Sequence, residues 1–393
     1  MTDAPRVVGT PARIPAGGRL LLTPGPVAVA PSVRQAVART DLGHREVVTR
    51  RCLAEVRRKL ASLCGGADQY TSVLLTGSGT AALEAVLCSV TPADAELLVV
   101  SNGRFGDRLE QIAAVHKLRC ATLRLPVGRA VDPVAVQQAL DARPTVTHVA
   151  MVQHETSLGV LNPVPAIARI VRAAGPEFIV DGISSIGAEQ LDLAHDPVDW
   201  LVGSANKCIE ALAGLSFVCA RPERFESLAA IGPRSFYLDL HQHYLAQQRN
   251  DAPLFTPAVQ LLLALDEALA LALDEGVPAR SARYAAHSEQ VRDGLSRRGL
   301  RLLVPVPDRS SSVTAFEVPP PLTAARLCDA MSAAGVVIYP ASSVTQEVAI
   351  VATMGQLTTE DVKRFFLVLD ETLAALSPSG VCRDASRLEA GVH

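Results

Sequence analysis

The chain has 393 residues, of which 49% are apolar, 20% charged and only 4% aromatic. That much apolar material excludes disorder over most of the length and gives a prior of about two or three domains. With 37 Lys and Arg against 40 Asp and Glu, the net charge is −3; a balance this even draws the chain to neither nucleic acid nor an anionic membrane, so any anion must be held locally.

The eight cysteines, at positions 52, 64, 88, 120, 208, 219, 328 and 382, form no C-x-x-C pair and no Cys/His spacing of a zinc site. They read as reduced thiols of a cytoplasmic protein, and no metal is expected. Met1–Gly18 is rich in Pro and Gly and lacks the apolar core of a signal peptide, and no uncharged apolar run reaches the ~18 residues of a membrane span. Residues 1–18 and 377–393 are expected to be flexible and without chemistry.

Between these ends, short apolar runs alternate with amphipathic, helix-length segments. A strand at Ser72–Leu75 precedes a helix at Thr80–Ser89, Leu97–Ser101 precedes Arg108–His116, and His148–Gln153 precedes Val164–Ala174; Phe178–Asp181 is a further strand. Strands that are nearly continuous in apolar residues indicate a buried, largely parallel sheet covered on both faces, so the large domain is α/β. After Thr256 come helices at Pro257–Glu275 and Ser281–Arg298, strands at Val313–Phe316 and Val336–Tyr339, and helices at Thr323–Ala334 and Thr359–Leu376. The expected division is a large domain over residues 19–265 and a small C-terminal α/β domain over 266–376.

Three places along this pattern offer chemistry. Gly77-Ser-Gly-Thr-Ala-Ala82 joins a strand to a helix, and such a turn presents free backbone N–H groups and the positive helix end to a phosphate, with Ser78 and Thr80 adding hydroxyls. It also reads as a G-x-G-x-x-A dinucleotide fingerprint, but the acidic residue wanted about 20 positions on is missing from Leu98-Val-Val-Ser-Asn-Gly103. Asp181 ends an apolar strand, where open α/β sheets bind their ligands; taken alone it equally suits a turn or a helix cap. Lys207 follows an uncharged strand-like run, Trp200–Ser204, where desolvation can lower an amine pKa enough for Schiff-base chemistry; a lone lysine is more often a solvated surface charge. Together the three supply what pyridoxal phosphate requires: a phosphate grip, a carboxylate for the pyridine nitrogen and a lysine for the aldehyde.

These segments, with Leu21-Leu-Thr-Pro-Gly-Pro26, Ser101-Asn-Gly103, His148-Val-Ala-Met-Val-Gln-His-Glu-Thr156 and Ile338-Tyr-Pro340, resemble the class V, fold-type I pyridoxal-phosphate aminotransferases, and within them the 2-aminoethylphosphonate:pyruvate transaminase branch. The resemblance covers about residues 19–375. It implies a mostly parallel seven-stranded sheet in a large domain, a smaller C-terminal domain, and a homodimer whose active sites are shared between subunits. It also implies that Lys207 carries the cofactor, Asp181 pairs with the pyridine nitrogen, and Ser78, Gly79 and Thr80 bind the phosphate. Thr256 would reach that phosphate from the partner chain, Phe105 and Ile183 would flank the ring, and Thr156 would contact the phenolic oxygen.

One departure concerns the substrate. The family places an arginine in an Arg-Ile-Gly-x-x-Gly stretch that grips the substrate anion; here the run is Val348-Ala-Ile-Val-Ala-Thr-Met-Gly355, with Ile350 at the arginine position. A charge-assisted Arg–anion contact contributes ~1.5–3 kcal/mol, and isoleucine supplies none of it. Gly43-His44-Arg45 stands where that branch usually has Trp-Asp, so Arg45 is a candidate for a relocated clamp, as are Arg104 and Arg249. The reading is an aminotransferase moving an amino group between a small amine or amino acid and a 2-oxo acid, with altered substrate scope. The alternative is a lyase on the same fold, by β-elimination or C–S cleavage; a desulfurase would also want a mobile nucleophilic cysteine, which Cys208 and Cys328 suit poorly. A cofactor-free homologue would be expected to lose Lys207 or Asp181.

Overall fold

The computed structural model describes residues 18–66, 69–341 and 344–376, so the two ends expected to be flexible lie, apart from Gly18, outside the described residues. The N-terminal part contains strand β1 (Leu20–Leu21) and helices α1 (Pro31–Val37) and α2 (Val47–Leu63). The alternation then begins with β2 (Thr71–Thr76), α3 (Gly79–Val90), β3 (Glu96–Ser101), α4 (Arg104–Val115), β4 (Arg119–Arg124), α5 (Pro133–Asp141) and β5 (Val146–Val152). The hairpin β6 (His154–Glu155) and β7 (Val160–Leu161) leads to α6 (Val164–Ala174), β8 (Glu177–Asp181), β9 (Trp200–Ser204) and β10 (Leu215–Ala220).

Strands β2, β10, β9, β8, β5, β3 and β4 lie side by side in that order in one seven-stranded sheet. All neighbours are parallel except at β10, which runs antiparallel to both β2 and β9. Apart from the edge strand β4, which is part-exposed along its length, their side chains bury on both faces, which is why these strands read as apolar runs rather than alternating ones. Helix α6 shows how a covering helix is specified. Pro165 stands in its first turn, Gly175 closes it at φ +103, and Val164, Ile167, Ala168 and Val171 form the buried stripe.

Beyond the sheet come α7 (Pro222–Ser227), α8 (Leu240–Asn250), α9 (Val259–Glu275) and α10 (Val277–Arg297). The C-terminal part has β11 (Val313–Glu317), α11 (Ala324–Ala333), β12 (Val336–Val337), β13 (Tyr339–Pro340), β14 (Val348–Ala352) and α12 (Thr359–Leu376). The strand expected over 336–339 is two strands: β12 pairs with β1, and β13 with β14. The expected boundary at 265/266 falls inside the continuous helix α9, whose Leu262, Leu265 and Leu269 all pack in the core beneath the large sheet. Leu20 and Leu22 instead join the C-terminal core. Helix α10 ties the two together, with Tyr284 in the first core and Val291 and Leu295 in the second.

Candidate active site

The C-terminal ends of the parallel strands open on a crevice, the place where such sheets bind ligands. Strand β2 delivers Gly77 and Ser78, and α3 starts at Gly79. Ser78 is the N-cap residue, yet its hydroxyl makes no capping bond, so hydroxyl and first-turn amides are left for an anion. Gly79 lets the two walls of the crevice approach: a Cβ there would lie 2.5 Å from Ile183 Cδ1, so that side chain would have to shift. Beside it, Arg108 Nη1 donates to Thr80 Oγ1 at 3.2 Å, while its guanidinium lies 4.9 Å from the Phe105 ring centre.

Asp181, the last residue of β8, is buried and its Oδ1 accepts from the Ile183 N–H at 2.9 Å. Burial pushes its pKa up to about 7, with the Glu155 carboxylate adding to the rise; the Ile183 N–H, Arg108 and Lys207 oppose it. A cationic ring nitrogen would satisfy this carboxylate, since an adjacent positive charge favours the ionised form. Lys207 follows β9, and its Nζ donates to the Pro24 carbonyl. Burial holds the amine below the ordinary lysine range, opposed by Cys208 and Asp181. The Leu21–Pro26 segment wraps this lysine closely: at Gly25, φ +119, a Cβ would fall 2.4 Å from Lys207 Cδ.

Strand β6 and the residue after it bring three further groups. His154 is buried; its Nδ1 faces the Ser184 carbonyl at 3.2 Å and burial pushes its pKa down to about 3, so the ring is neutral. Its Nε2 and the Thr156 hydroxyl are buried polar atoms without a partner among the described residues. Glu155 accepts from the Phe105 and Gly106 N–H groups at 2.9 and 3.3 Å, and so fixes the start of α4 and the Phe105 ring upon it.

Ser78, Gly79, Thr80, Phe105, Asp181, Ile183 and Lys207 line one cavity of about 140 Å³, many times the ~10–15 Å³ that one water needs. Thr156 is buried next to it but is not among its lining residues. Thr256 is exposed and lines a different pocket, together with Thr49, Leu53 and Phe255. Arg45, Arg104 and Arg249 are exposed and line no part of the cavity. Ile350 lies in the middle of β14 opposite Ala315 and Tyr339, 5% exposed, with its side chain in the core that continues under the large sheet.

Arg108, His154 and Asn206 also line the cavity, and sequence reasoning gave them no role. Arg108 had a signal, since Phe105 and Arg108 are three apart on one helix and share a face; starting the helix at Arg108 instead of Arg104 hid it. The residues fit pyridoxal phosphate: an uncapped helix end for the phosphate, a buried strand-end carboxylate for the nitrogen, an amine for the aldehyde, and an apolar wall from Phe105 and Ile183. Cys208 and Cys328 do not suit a thiol nucleophile, because burial raises the Cys208 pKa and pushes Cys328 up to about 12.

Fold and site together define a fold-type I pyridoxal-phosphate-dependent transferase. A family model described as aminotransferase class-V matches residues 32–354, and the chain belongs to that family. It is 35% identical to a 2-aminoethylphosphonate–pyruvate transaminase of Syntrophobacter fumaroxidans, over 90% of this chain and 96% of that one. It is 36% identical to the enzyme of the same name from Burkholderia thailandensis, over 91% and 97%. Among solved structures, ureidoglycine-glyoxylate aminotransferase from Bacillus subtilis superposes with a TM-score of 0.88 at 26% identity, over 92% of this chain and 94% of that one. Pyridoxamine-pyruvate aminotransferase from Mesorhizobium loti gives 0.84 at 27%, with the same coverage. The chain is therefore an aminotransferase, and pyridoxal phosphate is the cofactor that family uses.

Proposed function

We propose that this aminotransferase moves an amino group between a small amine or amino acid and a 2-oxo acid, with a donor preference shifted away from 2-aminoethylphosphonate. The observation that carries the reading is Lys207 and Asp181 on one cavity at the N-terminus of α3. Bound there, pyridoxal phosphate supplies an aldehyde and an electron-withdrawing ring. Lys207, whose amine burial holds below the ordinary lysine range, would hold the aldehyde and, when free, would carry a proton to and from the substrate carbon. Asp181 would keep the ring nitrogen protonated, Phe105 and Ile183 would give the ring an apolar wall, and Ser78, Gly79 and Thr80 would hold its phosphate.

The shift in donor rests on Ile350. A buried isoleucine within an apolar core gives a phosphonate no charge and no hydrogen bond. Arg45 remains the candidate for an anion contact elsewhere. The exposed Thr256 suits a phosphate contact made across a homodimer, and the absence of a helix long and apolar enough to cross a membrane, among the described residues, is compatible with a cytoplasmic enzyme. A lyase outcome is the weaker reading, because the family match and the named relatives are aminotransferases; a desulfurase is weaker still, with Cys208 and Cys328 both buried.

The test loads the full chain with cofactor and offers it 2-aminoethylphosphonate, alanine, serine and a set of other small amines. Conversion of the cofactor to its amine form is followed by mass spectrometry. Another donor should react faster than 2-aminoethylphosphonate. Fastest conversion with 2-aminoethylphosphonate, restored by pyruvate, would sink the proposed shift, and no conversion after Lys207→Ala is the control.

A further inference from the structure

The loop that carries Lys207 is held in shape from outside. Within it the Glu210 N–H donates to the Lys207 carbonyl and the Ala211 N–H to the Ala205 carbonyl, both at 2.9 Å. Glu210 itself stands at φ +61, a left-handed conformation that a residue with a Cβ keeps only where its surroundings impose it. Those surroundings are charged and buried. The Glu210 carboxylate, 3% exposed, accepts from the Tyr284 hydroxyl, from Arg283 Nη2 at 3.0 Å and from Gln356 Nε2, with Arg280 Nη1 at 3.6 Å. Glu275 balances the second cation, with Arg283 Nε at 2.7 Å and Arg280 Nε at 3.0 Å.

The cluster reaches Lys207 along two routes. Arg280, 1% exposed, donates from Nη1 to the carbonyl of Cys208, the next residue, at 2.8 Å. On the other side, Arg283 Nη1 donates to the Gly355 carbonyl at 2.9 Å and the Tyr284 hydroxyl accepts from the Gly355 N–H at 3.2 Å. The Gln356 N–H in turn donates to the Ala28 carbonyl at 2.9 Å. Ala28 belongs to the segment whose Pro24 carbonyl receives the lysine amine.

We infer that Glu210 and Arg280 are positioning residues for Lys207: their buried ion cluster aims the amine by fixing its loop through Cys208 and, through Gly355 and Gln356, the segment carrying Pro24. The inference rests on the reading of Lys207 as the cofactor-bearing residue. A cluster that merely glued helices together would need neither the bond to the Cys208 carbonyl nor a strained residue three positions after the lysine. The charged and titratable groups near the Lys207 amine include Asp181 from β8, Arg108 from α4, His154 from β6 and the neighbouring Cys208. Glu210→Gln and Arg280→Met remove charges of opposite sign, so a shift of the amine in the same direction in both reports its position rather than lost charge.

The test compares Glu210→Gln, Arg280→Met and Gln356→Ala with Phe365→Leu, a core change on α12 that serves as a control for general loss of stability. Gln356 is exposed, so its variant removes the side-chain contact to Glu210 and keeps the backbone bond to Ala28, strands no buried charge and stays folded even if the other two do not. Two quantities are read in the full chain: the rate at which loaded protein loses cofactor, and the pH profile of Lys207 modification by formaldehyde and borohydride in cofactor-free protein, quantified on the peptide. Glu210→Gln and Arg280→Met should speed cofactor loss roughly tenfold or more and move the labelling midpoint up toward ordinary lysine; Gln356→Ala should move both less, in the same direction. Native values in the folded variants, or equal shifts in Phe365→Leu, would overturn the inference. Borohydride fixation of the cofactor on a lysine other than Lys207 would instead overturn the reading beneath it.

Discussion

Replacing Gly25 by alanine tests how the lysine is held, because two separate costs meet at that position. The backbone there has φ +119, and an L-residue on that side of the map costs ~1–2 kcal/mol. The added methyl would also stand 2.4 Å from Lys207 Cδ and 2.7 Å from both Cε and Nζ, so the lysine stem must swing away. Its hydrogen bond to the Pro24 carbonyl then goes, a charge-assisted contact contributing ~1.5–3 kcal/mol. Gly175 separates the two costs: it has φ +103 at the end of α6 with nothing within 4 Å of a built Cβ. Gly175→Ala should therefore lower unfolding free energy by ~1–2 kcal/mol and leave the cofactor in place. Gly25→Ala should lower it further and weaken cofactor binding by about one to two orders of magnitude. Urea unfolding measures the first quantity, and cofactor retention with borohydride fixation on Lys207 measures the second. Native cofactor affinity in Gly25→Ala, with stability matching Gly175→Ala, would refute the reasoning.

Asp181 makes cofactor-free stability depend on pH. Its folded pKa is raised from 3.8 to about 7, so its contribution is complete below pH ~3.8 and is lost as pH rises to ~7, by at most on the order of 4 kcal/mol. Asp181→Asn should thus gain on the native chain across that window in urea unfolding; a pH-independent difference would show that the carboxyl is not held protonated. Gly203→Ala would drive a Cβ to within 2.1 Å of the Phe217 ring, an overpacking expected to lower thermal stability by ~1–3 kcal/mol, and Phe217→Leu in the same chain should recover part of it. Arg108, on the cavity beside Thr80, would face the cofactor phosphate, so Arg108→Met should weaken cofactor binding by about tenfold to a hundredfold, as expected for a charged contact of ~1.5–3 kcal/mol, without slowing formation of the link to Lys207 at saturating cofactor. Ile350→Arg is expected to destabilise before it changes specificity, since it places an unpaired guanidinium in a core site; a native melting temperature would show that the side chain finds water or a partner.

Much of this molecule is written locally. The strand, turn and helix around Ser78, the apolar run ending on Asp181 and the uncharged strand before Lys207 are each contiguous, and the helices at 164–174 and 359–376 have the expected bounds. Local patterns encode local conformation because periodicity, caps and glycines act within a turn or two of the chain. What brings Lys207 to Pro24, 183 residues away, or Arg108 to Thr80, is the order of strands in the sheet. Burial is equally nonlocal. The raised pKa of Asp181, the neutral His154 and the enclosure of Glu210 among two arginines depend on how much water the packed neighbours exclude. The residue types in this sequence decided which cofactor the chain can serve. The tertiary structure decided that Ile350 sits in a core and which groups aim the lysine, because desolvation and contact between distant segments exist only once the sheet has closed over them.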